Sequence, residues 1–172
     1  MNKIAEAAGV SAETVQGHGP KAALLIAAIE TAAVGVAGED DILKLDVGKR
    51  FLAIEDRGEA IDYLIKAQID VHRRTAGLSR ALSGGANADP ELDRYRRDLM
   101  VGVTGQVRRI MTVFRDRGWL RGDVPFEELV ETSAVITSLD TFLRMTELDG
   151  WTASQYQAWC RRMYSETVFK DA

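Results

Sequence analysis

Lys21 follows Pro20 where a new apolar helical pattern begins, in the segment "GHGPKAALL". Proline suits the first turn of a helix because an N–H at that position has no intrahelical partner. A lysine in the same turn opposes the helix dipole, at a cost of a few tenths of a kcal/mol. A bound phosphate reverses that penalty, since backbone N–H groups and the ammonium then converge on one anion. A solvated surface lysine is the plain alternative. A second set of polar groups lies on the longest helical pattern. From Glu59 onward, Ile61, Ile65, Gln68, His72, Thr75 and Ser79 recur at alternating fours and threes, which makes one stripe, apolar first and polar later. Facing inward, Gln68 and His72 supply hydrogen bonds within an apolar cavity, the composition of a small-molecule pocket. Ile65 joins them, and Met111 and Phe114 on the next long pattern are the candidate walls. The same stripe could turn to solvent after Ile65, with His72 a satisfied core histidine and Met111 and Phe114 ordinary packing residues.

Catalysis has no comparable foothold. The chain has two histidines, no glycine-rich phosphate loop and no nucleophile–base pair at informative spacing. No catalytic residue is assigned, and no cofactor or metal is expected. The single cysteine, Cys160, cannot form an internal disulfide, and there is no Cys/His cluster for zinc. It reads as a small packing residue.

The elements that must position Lys21 begin at "KIAEAAGVSAETVQGHGPKAALL", Lys3 to Leu25. Ile4, Ala5 and Ala8 have helical spacing and stop at Gly9, where glycine supplies the left-handed conformation that closes a helix. Ser11 can cap the next helix, which carries Thr14 and Val15. A steep crossing of two short helices needs a small residue at the contact, a corner glycine and an apolar plug. Ala5, Gly9 and Val15 fill these roles, so the stretch reads as a helix-turn-helix, a unit that can set its second helix in a DNA groove. An ordinary pair of packed helices is the alternative.

At 172 residues the chain can bury a sizeable core in one or two domains. Its 46% apolar content argues for a folded protein rather than a disordered one. The longest apolar run, Ala22 to Ile29, is too short to span a bilayer, and no leader with a cleavage signature opens the chain. These features predict a cytoplasmic protein without a membrane partner. Net charge is −4. Residues 1–38 carry two lysines, Lys3 and Lys21, against three glutamates, Glu6, Glu13 and Glu30. A phosphate-binding surface is normally basic, so this balance counts against DNA.

Helical periodicity continues to the C-terminus, and no useful length alternates with period two, so the predicted fold is all-α. The helix after Pro20 runs towards Gly35 and Gly38. The polar segment "GEDD" marks a domain boundary that divides residues 1–38 from 39–172. A short amphipathic helix is expected over Leu45 to Ile54. The long pattern opening at Gly58 is expected to stop at Gly84 and Gly85, with Asp89 and Pro90 starting the next helix. That helix ends near Gly118. After "RGDVP", one helix is expected from Phe126 to Leu143, and a final one from Thr152 to Lys170, where Thr152 and Gln155 have capping-box spacing. Gly102 and Gly105 each cost up to about 1 kcal/mol inside a helix, which close helix approach or space for a ligand would offset.

With these parts in order, the chain resembles a TetR-family transcriptional regulator. The likeness is carried by "IAEAAGVSAETV", His18, Lys21 and "AALL", with weaker support from "DRGWLRGDVPFEEL" and "DGWTASQYQAWCRRMY". It implies an N-terminal helix-turn-helix domain joined by a connecting helix to a C-terminal ligand-binding and dimerisation domain. It further implies a homodimeric repressor on a palindromic operator, released when a small apolar or aromatic effector enters the C-terminal domain. By position, Ala12 and Glu13 face base edges, and Thr14, His18 and Lys21 contact phosphates. Gln16 stands where the family usually has an aromatic phosphate contact. Gly17 and Gly19 replace bulkier residues and soften the end of this helix. The family has a further helix before this motif, of which the chain carries no counterpart. This predicts weak DNA binding by the chain alone.

The last two long helices would form the dimer bundle, with Val130, Ile136, Leu139, Leu143, Trp159 and Met163 at the interface. A helical dimer that holds a small ligand or protein partner without reading DNA is the second reading, and an enzyme the third.

Overall fold

The computed structural model describes residues 1–34 and 41–171, and these fold as helices joined by short turns. Local capping sets most of the boundaries. Helix α1 (Asn2–Ala8) closes at Gly9, whose φ is 66°, and the Val10 amide donates back to the Ala5 carbonyl at 3.0 Å. Helix α2 (Ala12–Gly17) opens at Ser11, whose side chain accepts from the Thr14 amide. Helix α3 (Lys21–Val34) starts after Pro20, which contributes its carbonyl to the Leu24 amide. The expected endings at Gly35 and Gly38, and the boundary at residues 38–39, fall outside the described residues.

A 3-10 turn (Ile42–Lys44) capped by Asp41 leads into α4 (Asp46–Leu52), shorter at both ends than the expected Leu45–Ile54. Helix α5 (Arg57–Ala86) begins on the Asp56 cap. It passes through Gly84 and Gly85 instead of stopping there, because Gly85 lets α6 approach closely rather than turning the chain. Helix α6 (Pro90–Asp116) has the expected Asp89 cap and Pro90 start, and Gly118 at φ 66° follows its end. The single helix expected over 126–143 is two: α7 (Phe126–Ile136) and α8 (Leu139–Leu143), with Thr137 and Ser138 between them. A π-helical turn (Arg144–Leu148) follows. Helix α9 (Ala153–Met163) has the full Thr152/Gln155 capping box and ends in a second π-helical turn, Tyr164–Val168.

Two apolar clusters organise these elements. The larger joins α5, α6, α7 and α9 through residues such as Ile65, Met111, Val130 and Tyr156. Complete burial of a side chain like Leu129 or Val130 contributes about 1.5–3 kcal/mol. At its edge, Phe114 packs against Phe51, Trp119 and Phe169 with ring centroids 5.7, 5.6 and 5.3 Å away. The smaller cluster seats α3 on the far ends of α5 and α6 through Ala22, Ile29, Leu82, Ala86 and Leu92. An antiparallel bridge between Leu120 and Phe169 ties the C-terminus to the turn after α6. No described helix is long and apolar enough to cross a membrane. No described side chain approaches Gly102, and the nearest to Gly105 is Arg109 of the same helix, so packing within the described residues does not account for either glycine.

Candidate functional site

The N-terminal corner has the predicted contact. Ala5 and Val15 are buried, and α2 buries no other residue. Consequently Glu13, Thr14, Gln16, Gly17, His18 and Lys21 are exposed, while Ala12 is half-buried beside the Ser11 cap. The Thr14 hydroxyl lies 2.9 Å from Ser11 Oγ. Lys21 is brought to the start of α1, where Met1, Asn2, Lys3, Ile4 and Lys21 line a shallow depression. Lys3 was not singled out in the sequence. The only signal for it is that Lys3 and Lys21 are the two lysines of the first 38 residues. Both lysines counted in the balance of residues 1–38 are thus gathered on one depression.

In the second region the stripe on α5 turns inward. Ile61, Ile65, His72 and Thr75 are buried, and Gln68 and Ser79 are half-buried. A cavity of about 20 Å³, the scale of one water molecule, lies between α5 and α6. Ile61, Leu64, Ile65 and Gln68 line it from α5, Val107, Ile110 and Met111 from α6, and Thr137 and Tyr164 complete it. Of the five candidate ligand residues, Ile65, Gln68 and Met111 meet there. Phe114 belongs to the aromatic cluster with Phe51. His72 stands one turn beyond Gln68 and is committed to the protein itself.

That commitment is specific. Gln68 Nε2 and His72 Nε2 both lie 3.0 Å from the carbonyl oxygen of Thr137, exposed by the break between α7 and α8. Gln68 donates to it, and for His72 to donate as well the neutral imidazole must carry its proton on Nε2. Burial lowers the His72 pKa below its ordinary value, and the Thr137 bond only partly opposes this. The Tyr156 hydroxyl donates to the next carbonyl, that of Ile136, at 3.0 Å. Cys160 is buried nearby, and burial pushes its thiol up to about 11, so it is a protonated packing residue. Thr137 and Tyr156 carried no functional signal in the sequence, because their bonds depend on a helix break that local propensity does not announce.

The candidate dimer residues divide by burial. Val130 and Ile136 lie in the chain's own core, at 0% and 6% exposure, since their face of α7 turns inward. Leu139, Leu143, Trp159 and Met163 are half-buried. The open side of α7 carries Glu128, Glu131 and Val135, and that of α9 carries Ala158, Arg161 and Arg162. Arg161 reaches Asp62 at 2.6 Å.

No family model matches the chain, and neither a curated protein nor a solved structure matches it.

Proposed function

We propose that this chain is a ligand-responsive transcriptional regulator, a homodimeric repressor that binds a palindromic operator through α2 and leaves it when a small effector enters between α5 and α6. The observation that carries the reading is the corner of α1 and α2. Gly9 and the Ser11 cap fix the crossing, Ala5 and Val15 fill it, and the polar positions of α2 stay open beside Lys21. Helix α3 continues from that corner and seats on α5 and α6, the two helices that wall the cavity. An effector larger than water must part those walls, and α3 rides on the helices that move. The lining offers amide, hydroxyl and carbonyl groups among apolar side chains and no charged residue, which suits a neutral apolar or aromatic molecule.

Self-association is supported by exposed apolar side chains near the end of the chain, Val135 at 65% and Leu148 at 77% exposure. In a dimer of this kind the two copies of α2 read half-sites about 34 Å apart.

The experiment is capture of fragmented genomic DNA by the purified protein at low salt, followed by footprinting of retained fragments. The expected result is one protected site with two-fold symmetry. Because the chain alone is expected to bind weakly, the capture is carried down to the lowest salt that keeps the protein in solution, and retention of no fragment above background there rejects the reading. It would favour the alternative suggested by the acid excess of residues 1–38, a helical dimer that binds a small molecule or protein without DNA.

A further inference from the structure

The break between α7 and α8 has no cause in the backbone chemistry of its own segment. From Phe126 to Leu143 there is neither glycine nor proline, the residues that end helices by conformation or by a missing donor. Part of the break is local: Ser138 Oγ accepts from the Thr141 amide at 3.0 Å, and Thr141 Oγ1 donates to the Val135 carbonyl at 2.7 Å. The rest comes from distant elements. Tyr156 of α9 donates to the Ile136 carbonyl, and Gln68 and His72 of α5 converge on that of Thr137. An unbroken helix would give these three carbonyls to the amides of Leu139, Asp140 and Thr141. Each acceptor that would build the straight helix is therefore held by a side chain in the bent one. Two complete bonding patterns compete for the same oxygens.

We infer that α7–α8 is a two-state element, bent while Gln68, His72 and Tyr156 donate to it and straight when those donors are withdrawn. Phe142 of α8 sits between two of the donors, its ring 5.3 Å from that of His72 and 5.2 Å from that of Tyr156. Straightening removes Phe142 from this place and re-aims the half-buried Leu139 and Leu143. The cavity meets the element at Gln68 and Thr137. Resting on the effector reading above, a molecule with a hydrogen-bond acceptor takes the Gln68 amide and tips the element towards the straight form. The effector is then read out as a change of helix α7–α8 next to the open face bearing Val135.

The test uses the whole chain without any ligand, so its outcome is independent of whether an effector exists. In the bent form the Leu139 and Asp140 amides are the first free N–H groups of α8 and exchange fast with solvent. Hydrogen exchange followed by NMR is compared for the unmodified protein, for Gln68→Ala/His72→Ala/Tyr156→Phe, which withdraws all three donors, and for Tyr156→Phe alone. The last variant removes only one donating hydroxyl, frees the Ile136 carbonyl that the Asp140 amide takes in the straight form, and preserves the fold if the triple variant does not. The expected result is exchange at Leu139 and Asp140 slowed by about tenfold in each folded variant, as a helical hydrogen bond forms at each. Exchange as fast as in the unmodified protein in every folded variant, Tyr156→Phe included, overturns the inference and makes the bend a fixed feature of the core.

Discussion

A Cβ placed on Gly48 would stand 2.1 Å from the carbonyl oxygen of Ile42. Helix α4 thus lies against the backbone of the 3-10 turn that precedes it, and the Leu43 Cα, 2.5 Å from the same point, closes the other escape. Both neighbours are main chain and cannot rotate away. Gly48→Ala is expected to destabilise the protein by about 2 kcal/mol or more, in the range of overpacked core sites. Gly122→Ala, whose Cβ meets nothing within 4 Å, is the control. Urea unfolding of both variants checks this, and equal midpoints would mean that α4 does not pack on the turn as described.

Gly84 and Gly85 separate two uses of glycine. A Cβ on Gly84 meets nothing, while one on Gly85 falls 2.6 Å from Leu92 Cδ1. Both positions lie within α5, where replacing glycine by alanine gains about 0.5–1 kcal/mol. Gly84→Ala therefore raises the melting temperature by about 1–4 °C. Gly85→Ala loses that gain, because the buried Leu92 must leave its rotamer. Equal melting temperatures for the two variants would remove the close α5–α6 contact from the account.

The same pair shows what was legible in the sequence. Caps at Ser11, Asp89 and Thr152 were readable because donor and acceptor lie within three residues of each other. The dipeptide Gly84–Gly85 has the local signature of a stop, yet its reason is Leu92 on another helix. The break at Thr137 was equally hidden, since its donors Gln68 and His72 precede it by 69 and 65 residues. For the candidate sites, the stripe on α5 was visible as a period. That Gln68 and His72 converge on the Thr137 carbonyl required the fold.

His72 should give stability a pH dependence. Its pKa in the folded state is lowered from 6.5, chiefly by burial, so the unfolded chain takes up the proton first as pH falls. The contribution is fully present above 6.5 and is lost progressively below it, down to the folded-state value. His72→Gln keeps a hydrogen-bond donor and cannot titrate. Urea midpoints measured at about pH 7.5 and 5.5 should fall less for His72→Gln than for the unmodified protein. An identical fall in both would assign the slope to other groups.

Val135 tests the proposed self-association without touching the core. At 65% exposure its replacement changes folding stability by no more than about 0.5 kcal/mol. On the open face of α7, Val135→Glu adds a charge beside Glu128 and Glu131. If that face meets a second copy, the variant dissociates at concentrations where the unmodified chain remains dimeric, with dimer affinity falling by at least about tenfold, since desolvating an unpaired carboxylate is costly. Sedimentation velocity at micromolar concentration reads this directly. A monomeric unmodified chain, or a dimer indifferent to Val135→Glu, takes the interface away from α7.

The final prediction concerns Lys21. It begins α3 and shares a depression with Lys3 at the exposed edge of the α1–α2 corner, so an approaching phosphate meets two ammonium groups and the start of a helix. Phosphate contacts position a protein on DNA without reading sequence. Lys21→Ala should therefore weaken binding to all duplexes by a similar factor and lower the slope of log affinity against log salt by about 0.9, one phosphate contact. Gln16→Ala should behave differently if Gln16 reaches a base edge, leaving the salt slope intact and altering sequence preference. Fluorescence anisotropy on a captured fragment and on a scrambled duplex, across a low-salt series, separates the two outcomes. An unchanged affinity and slope for Lys21→Ala would make Lys21 a solvated surface charge and leave the α1–α2 corner without its phosphate anchor.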